Sequence, residues 1–117
     1  MRRAPSALLL PLLIGCASRL NEGEHQFSVR APERVVRGEE FHFTITATDT
    51  SGQEVPKAKF FWSVSWEGVE GLRHKGRSGV PQHILVKGAA GVGVLHILGL
   101  DAEGNEREIA RKTFVIE

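Results

Sequence analysis

The chain of 117 residues has one cysteine, one methionine and no tyrosine. A single cysteine excludes an intramolecular disulfide, so an apolar core has to hold the fold. It also argues, together with the single methionine, against a soft copper site. The five histidines show no spacing typical of a metal site on one strand or helix. The sequence therefore predicts no metal and no cofactor.

Long hydrophobic runs are also missing. The longest apolar stretch runs from Ala7 to Ile14 and is interrupted by Pro11. It has roughly eight residues, whereas a membrane-spanning helix needs roughly 20. Arg2 and Arg3 precede it without any acidic residue. A positive start followed by a short apolar stretch is typical of an export signal, so residues 1–15 are predicted to be a cleaved signal peptide.

The lone cysteine, Cys16, stands at the end of Leu-Ile-Gly-Cys, directly after this stretch. The arrangement resembles the lipobox of bacterial lipoprotein signal peptides. That resemblance implies cleavage before Cys16, a lipid anchor on its thiol and, from Ala17, sorting to the outer membrane rather than retention in the inner one. The alternative is an ordinary secretory signal that is cleaved elsewhere. The expected location is the cell envelope.

Charge of one sign is not in excess. The chain has 15 Lys and Arg against 14 Asp and Glu. Loss of Arg2 and Arg3 with the leader leaves 13 against 14, a formal charge of −1. A nucleic-acid-binding domain needs a concentrated basic face, so none is expected. Polar residues 16–24 are predicted to form a short tether, and residues 25–117 a single domain.

From Phe27 onward, apolar and polar residues alternate with period two, which is typical of half-buried strands. The predicted strands lie at residues 27–31, 35–36, 41–48, 60–66, 82–87, 92–101 and 108–116. Trp62 is expected in the core, and Trp66 at its edge or beside a pocket. Two Asp-x-x-Gly segments, at Asp49 and Asp101, predict turns closed by a left-handed glycine. About seven short strands with no helical period indicate an all-β sandwich.

Two segments resemble bacterial immunoglobulin-like domains, including those of invasin- and intimin-type surface proteins. They are FHFTITATDTSGQEVPKAKFFWSV, with its D-x-x-G-x-x-V-P turn, and GVGVLHILGLDAEGN. The resemblance covers roughly residues 25–117. It implies an immunoglobulin-like β-sandwich of about seven antiparallel strands. The chain departs from many such domains in having neither a disulfide pair nor a tyrosine corner.

One face of the sheet is predicted to be an apolar surface that binds a protein partner, because large exposed apolar patches tend to be interaction sites. Its residues are Phe61, Val94, His96, Leu98, Leu100, Ile109 and Val115. The alternatives are a register error of one residue, which inverts every side chain, or a covering by the loop at residues 67–81.

The longest irregular stretch is predicted at residues 67–81. Its basic side chains are candidates for binding phosphate, sulfate or carboxylate groups. They are Arg73, His74, Lys75 and Arg77. The alternative is a solvated loop whose charge only keeps the chain soluble.

No catalytic residue is predicted, because Ser63, Ser65 and Ser78 lack the context of a nucleophile elbow. The expected function is that of a non-enzymatic, lipid-anchored envelope protein with an adhesion, accessory or scaffold role. Its expected partners are the membrane, through the lipid on Cys16, and another envelope protein. One alternative is a binder of anionic carbohydrate or lipid head groups through residues 73–77. A metal-dependent enzyme remains a third, provided that histidines and carboxylates converge in space.

Overall fold

The computed structural model describes residues 18–117. Within them the chain forms nine β-strands: β1 (Gln26–Arg30), β2 (Arg34–Val35), β3 (Glu40–Thr48), β4 (Lys59–Trp66), β5 (Val69–Glu70), β6 (His74–Arg77), β7 (Gln82–Leu85), β8 (Gly91–Leu100) and β9 (Glu106–Ile116). This part of the chain has no helix, and so no helix long and apolar enough to cross a membrane. The prediction of an all-β fold is confirmed. The predicted leader and Cys16 lie outside the described residues.

The strands form two sheets. The small sheet has the order β1-β3-β7, and the large sheet has the order β2-β9-β8-β4-β5, with β6 also paired to β4. Neighbouring strands are antiparallel except for β2 and β9, which pair in parallel. The longest ladder joins β8 to β9 over the whole of β8. Strands β4, β8 and β9 therefore form the framework of the large sheet.

The core lies between the two sheets, and the predicted alternation places it correctly. Phe43 and Ile45 of β3 are fully buried, as are Phe60 of β4 and Ile97 of β8. Trp62, predicted to be a core residue, is 5% exposed. The Trp62 indole and the Phe43 ring meet edge to face, with 5.1 Å between the ring centroids. Such edge-to-face pairs stabilise a core beyond the area that they bury.

Two of the nine strands come from residues 67–81, where the sequence predicted an irregular loop. Glu67 and Gly68 both have positive φ, at 52° and 78°, and they join β4 to β5 as a two-residue hairpin turn. Strand β6 then pairs with the free edge of β4, with Trp62 opposite His74. Strands β5 and β6 are too short for an alternating pattern to predict them. They form because their backbones pair with β4.

The predicted tether is also different in the structure. Leu20 is fully buried in the core. Its N–H donates to the carbonyl of Lys59, and its carbonyl accepts from the N–H of Leu100, both at 2.8 Å. Residues 18–24 therefore pack on the domain instead of hanging free. Leu20 is the only large apolar residue between Ser18 and Glu24, so this segment has no hydrophobic periodicity that could predict its burial.

The two Asp-x-x-Gly segments form the turns that the sequence predicted. The Asp101 carboxylate accepts hydrogen bonds from the backbone N–H groups of Glu103 and Asn105, at 3.0 and 2.9 Å. Gly104 has φ of +87° and donates to the Asp101 carbonyl. The Asp49 turn repeats this pattern. In both turns one carboxylate oxygen, Oδ1, accepts two backbone N–H groups, and in the Asp49 turn it also accepts the Ser51 hydroxyl.

Candidate functional site

A cleft of about 340 Å³ opens where the β7 edge of the small sheet faces the β4 edge of the large one. Its volume lies at the small end of the range typical of ligand pockets, roughly 300–1,000 Å³. Its wall comes from β4, the β5–β6 connection, β7 and the start of the β7–β8 loop. The lining residues include Trp62, Val64, Trp66, Leu72, His74 and Leu85.

Trp66 is the most unusual side chain of the cleft. Its indole packs against Gly88, where an added Cβ would lie 3.2 Å from the ring, so the glycine makes room for it. The Nε1 atom is buried and has no hydrogen-bond partner among the described residues. A buried donor without a partner costs about 1–3 kcal/mol. The sequence placed Trp66 at the core edge or beside a pocket, and it occupies both positions.

The indole N–H of the neighbouring tryptophan, Trp62, has a hydrogen-bond partner. Trp62 donates from Nε1 to Oε1 of Gln82 at 3.3 Å, and the imidazole of His74 stacks on its indole. The rim, by contrast, is apolar and open to solvent. Leu72 is 79% exposed and Leu85 is 48% exposed, so a leucine stands on each side of the entrance. The walls of the cleft are mainly apolar, with His74 and His83 among them, and the buried indole N–H of Trp66 beside the cleft has no partner among residues 18–117.

The predicted anion-binding residues do not form one cationic site. Arg73 makes two hydrogen bonds with the Glu106 carboxylate, at 2.9 and 2.7 Å, and its guanidinium lies 3.9 Å from the centroid of the Phe61 ring. His74 points to Trp62, and Arg77 donates to the Lys57 carbonyl at 3.4 Å. Alternation along β6 separates His74 from the other three, which share the outer face, and of those three Arg73 is already paired with Glu106.

The predicted partner face lies on the outer side of the large sheet. Phe61, Val94, His96, Leu98 and Leu100 are all half-buried there, and Val115 is 36% exposed.

Ile109 is the exception, because it packs against the core. The β8–β9 register shifts between Ile97 and Leu98, which pairs Leu98 with Glu108 and Ile97 with Ala110. This bulge turns Ile109 inward, towards Gly99. Glu108 takes its place on the outer face.

His96 is held on this outer face by two neighbours that the sequence analysis did not connect with it. Ser65 Oγ lies 2.7 Å from its Nε2 atom, and Glu108 Oε1 lies 2.5 Å from its Nδ1 atom. These residues belong to three different strands, and Glu108 reaches His96 only because of the bulge. No spacing in the sequence signals such a contact. In residues 18–117 no group of three or more His, Cys, Asp or Glu side chains is placed to hold a metal ion.

No family model and no curated protein matches the chain. Solved structures do. A superoxide reductase (neelaredoxin) from Ignicoccus hospitalis has a TM-score of 0.50 at 19% identity, over 82% of this chain and 83% of that one. A second structure of this superoxide reductase has a TM-score of 0.46 at 20% identity, over 80% and 82% of the two chains. The alkylpurine DNA glycosylase AlkC of Pseudomonas fluorescens, bound to DNA with an abasic site analogue, has a TM-score of 0.47 at 14% identity, over 81% of this chain and 31% of that one.

These comparisons correct the functional prediction. Because the sequence resembles the immunoglobulin-like domains of surface proteins, we predicted a non-enzymatic adhesion or scaffold role. The fold is instead similar to that of a superoxide reductase, so it does not point to adhesion, and the prediction was wrong. Folds host many functions, and function resides in sites. At 19% identity the likeness describes the fold alone, and the chain's function has to be argued from its own side chains.

Proposed function

We propose that the domain binds a small, neutral, largely apolar molecule in the cleft between β4 and β7, and that the molecule carries a hydrogen-bond acceptor. The observation that carries this proposal is the buried indole N–H of Trp66, which has no partner among residues 18–117. Indole nitrogen donates and does not accept, so the matching group is a carbonyl, ether or hydroxyl oxygen.

The walls support the same class of ligand. Trp62, Val64 and Leu85 present apolar surface, and burying such surface contributes about 25 cal/mol per Å². The guanidinium of Arg73, the nearest arginine in sequence, is bound to Glu106 on the outer face of the sheet. Among the described residues, no arginine or lysine lines the cleft, whose only basic side chains are His74 and His83, so a neutral ligand is favoured over an anionic one.

Fluorescence titration with prodan tests the proposal, because this neutral naphthalene probe has one carbonyl acceptor and its emission shifts to the blue in apolar surroundings. We expect a saturable blue shift with the full chain. Trp66→Phe keeps the ring but removes the N–H, and it should weaken binding about fivefold, the equivalent of about 1 kcal/mol. Leu72→Asp should abolish binding by placing a charge at the entrance.

Val92→Asp is the matched control, since Val92 is 50% exposed and is not a cleft residue. It should bind prodan as the unmodified chain does. Equal binding by the Leu72→Asp and Val92→Asp variants would place the probe elsewhere and overturn the proposal, as would the absence of a saturable shift.

For the fold we propose an immunoglobulin-like β-sandwich. Two facing sheets, a buried tryptophan on β4 that packs across the core, and seven strands at the positions expected from the alternation support it. In such a sandwich, β5 and β6 are two additional short strands that pair with β4 at one edge of the large sheet.

For location we propose the cell envelope, with a lipid on Cys16 and outer-membrane sorting through Ala17, on the strength of the lipobox-like leader. Only Ala17 separates Cys16 from the first described residue, Ser18. Two residue steps reach at most about 7 Å. Since residues 18–24 pack on the domain, anchoring would hold it close to the membrane surface.

A further inference from the structure

Three polar side chains meet on the outer face of the large sheet, away from the cleft. Ser65 comes from β4, His96 from β8 and Glu108 from β9. Ser65 Oγ is 2.7 Å from His96 Nε2, and His96 Nδ1 is 2.5 Å from Glu108 Oε1. Each ring nitrogen of His96 thus has one partner, a hydroxyl on one side and a carboxylate on the other. This is the order of groups in a nucleophile, base and acid triad.

The sheet register explains why they meet. Ser63 lies directly opposite His96, and Ser65 lies opposite Val94, so the Ser65 side chain reaches His96 along the diagonal. Glu108 would not share this face in an unbroken ladder. The bulge beside Ile97 pairs Glu108 with Leu98 and turns its carboxylate to the outside. Bulges often re-aim side chains next to active sites.

The neighbours of Glu108 favour its ionised form. Burial works against ionisation of Glu108, but the hydrogen bonds from His96 and Arg111, with the charge of Arg111, outweigh it and hold the pKa of Glu108 below its usual value. Arg111 Nε donates to Glu108 Oε2 at 3.0 Å. A carboxylate only accepts, so His96 donates from Nδ1. In the neutral ring with its proton on Nδ1, the lone pair is on Nε2, which faces the Ser65 hydroxyl, as a general base requires.

We propose that Ser65, His96 and Glu108 form a hydrolytic triad that acts on small aryl esters. Ser65 Oγ bonds to the ester carbonyl carbon while its proton passes to His96 Nε2. The bond from that carbon to the phenolic oxygen breaks, and His96 returns the proton to the leaving phenol. Water, activated by His96, then cleaves the acyl-Ser65 ester and releases the carboxylic acid and the free serine.

The surroundings limit the substrate class. Ser65 pairs with Val94 on one side and with Glu70 on the other, so the sheet ladder occupies the backbone beside it. Arg111 lies opposite His96 and is bound to Glu108, whereas Arg73 lies over Phe61 farther along the same face. Because these ladders occupy the backbone next to Ser65 in the described part of the chain, that backbone forms no oxyanion site, and the ester needs a good leaving group. Val94 and Leu98 flank His96 along β8 and provide apolar contact for an aryl or short acyl group.

The test is hydrolysis of p-nitrophenyl acetate by the full chain carrying Cys16→Ser, so that no thiol reacts with the ester. Ser65→Ala should lower kcat/KM at least about 100-fold, in line with the loss of positioned general-base chemistry. Ser63→Ala is the matched control: it removes the same atom on the same strand and face, and it should leave the rate unchanged. Urea unfolding checks that each variant is folded.

A fluorophosphonate ester provides a second readout, because it modifies an activated serine covalently. Peptide mass spectrometry should find the phosphonyl group on Ser65, and His96→Ala should abolish the modification. Glu108 acts through His96 as a positioning residue, so Glu108→Gln should lower kcat more than it changes KM, and Glu108→Asp should restore part of the loss. Unchanged hydrolysis in folded Ser65→Ala, or phosphonylation at other sites only, would overturn the proposal.

Discussion

The imidazole of His74 stacks on the indole of Trp62, with ring centroids 4.4 Å apart and an angle of 27° between the planes. The sequence grouped His74 with neighbouring cations as an anion-binding residue. In the structure it covers a core tryptophan and joins β6 to the edge of β4, opposite Trp62 in the register. A side chain that the sequence grouped with cations thus contributes to packing in the fold.

His74→Ala is therefore expected to lower the free energy of unfolding by about 1 kcal/mol, the usual worth of an aromatic pair beyond its buried area. Urea unfolding followed by tryptophan fluorescence measures it. Lys75→Ala is the control, because the exposed Lys75 lies on the other face of β6 and should change stability by less than about 0.5 kcal/mol. Equal losses in the two variants would contradict a specific role for the stacked pair.

Gly93→Ala tests the packing between β8 and β9. An added Cβ would lie 2.5 Å from the Phe114 ring, and Phe114 is only 2% exposed, so the ring has little room to move. We expect a loss of roughly 1–3 kcal/mol, as for other overpacked cores, measured by urea unfolding.

Phe114→Leu removes the outer ring atoms that the new methyl group would meet. The double variant should therefore lose less stability than the sum of the two single variants. Simple additivity would show that residues 93 and 114 are not coupled.

The Glu106 carboxylate gives the stability a defined dependence on pH. The hydrogen bond from Arg73 opposes its partial burial, and with that from Arg19 it holds the pKa of Glu106 below its usual value. A group whose pKa is lower in the folded state stabilises the fold above its unfolded pKa, about 4.3. This contribution is lost as the pH falls through the folded pKa.

Glu106→Gln should therefore be less stable than the unmodified chain at pH 7, and the difference should shrink below about pH 4.3. Urea unfolding at pH 7, 5 and 3 measures it. The pairs are partly exposed, so the difference should also fall at high salt. A difference that does not change between pH 7 and pH 3 would count against the ion pairs.

Cys16→Ser tests the predicted lipid anchor. In a bacterial host with the lipoprotein pathway, we expect the unmodified chain to be processed before Cys16 and to partition into detergent. The serine variant should keep its leader, because it offers no thiol for the lipid. Gly15→Ala preserves a small residue at the cleavage site and should be processed normally. Mass spectrometry of the N-terminus checks each case, and identical processing of the serine variant would contradict lipidation.

The sequence by itself determined the all-β class, seven strand positions, the inward faces of β3, β4 and β8, and the two aspartate turns. These features are local. Alternation with period two identifies a strand wherever one face is buried, and Asp-x-x-Gly contains the acceptor and the permissive glycine that its turn requires.

Only the tertiary structure decided the rest. Strands β5 and β6 depend on the edge of β4, and the burial of Leu20 depends on carbonyl and N–H groups far along the chain. The bulge on β9 puts Glu108 on the outer face in place of Ile109. A register shift of one residue reverses which face each side chain occupies, and the amino-acid composition does not reveal it. Both candidate sites depend on contacts between segments that are distant in the sequence. The cleft brings Trp66 of β4 beside Gly88, and Ser65 of β4 meets His96 of β8.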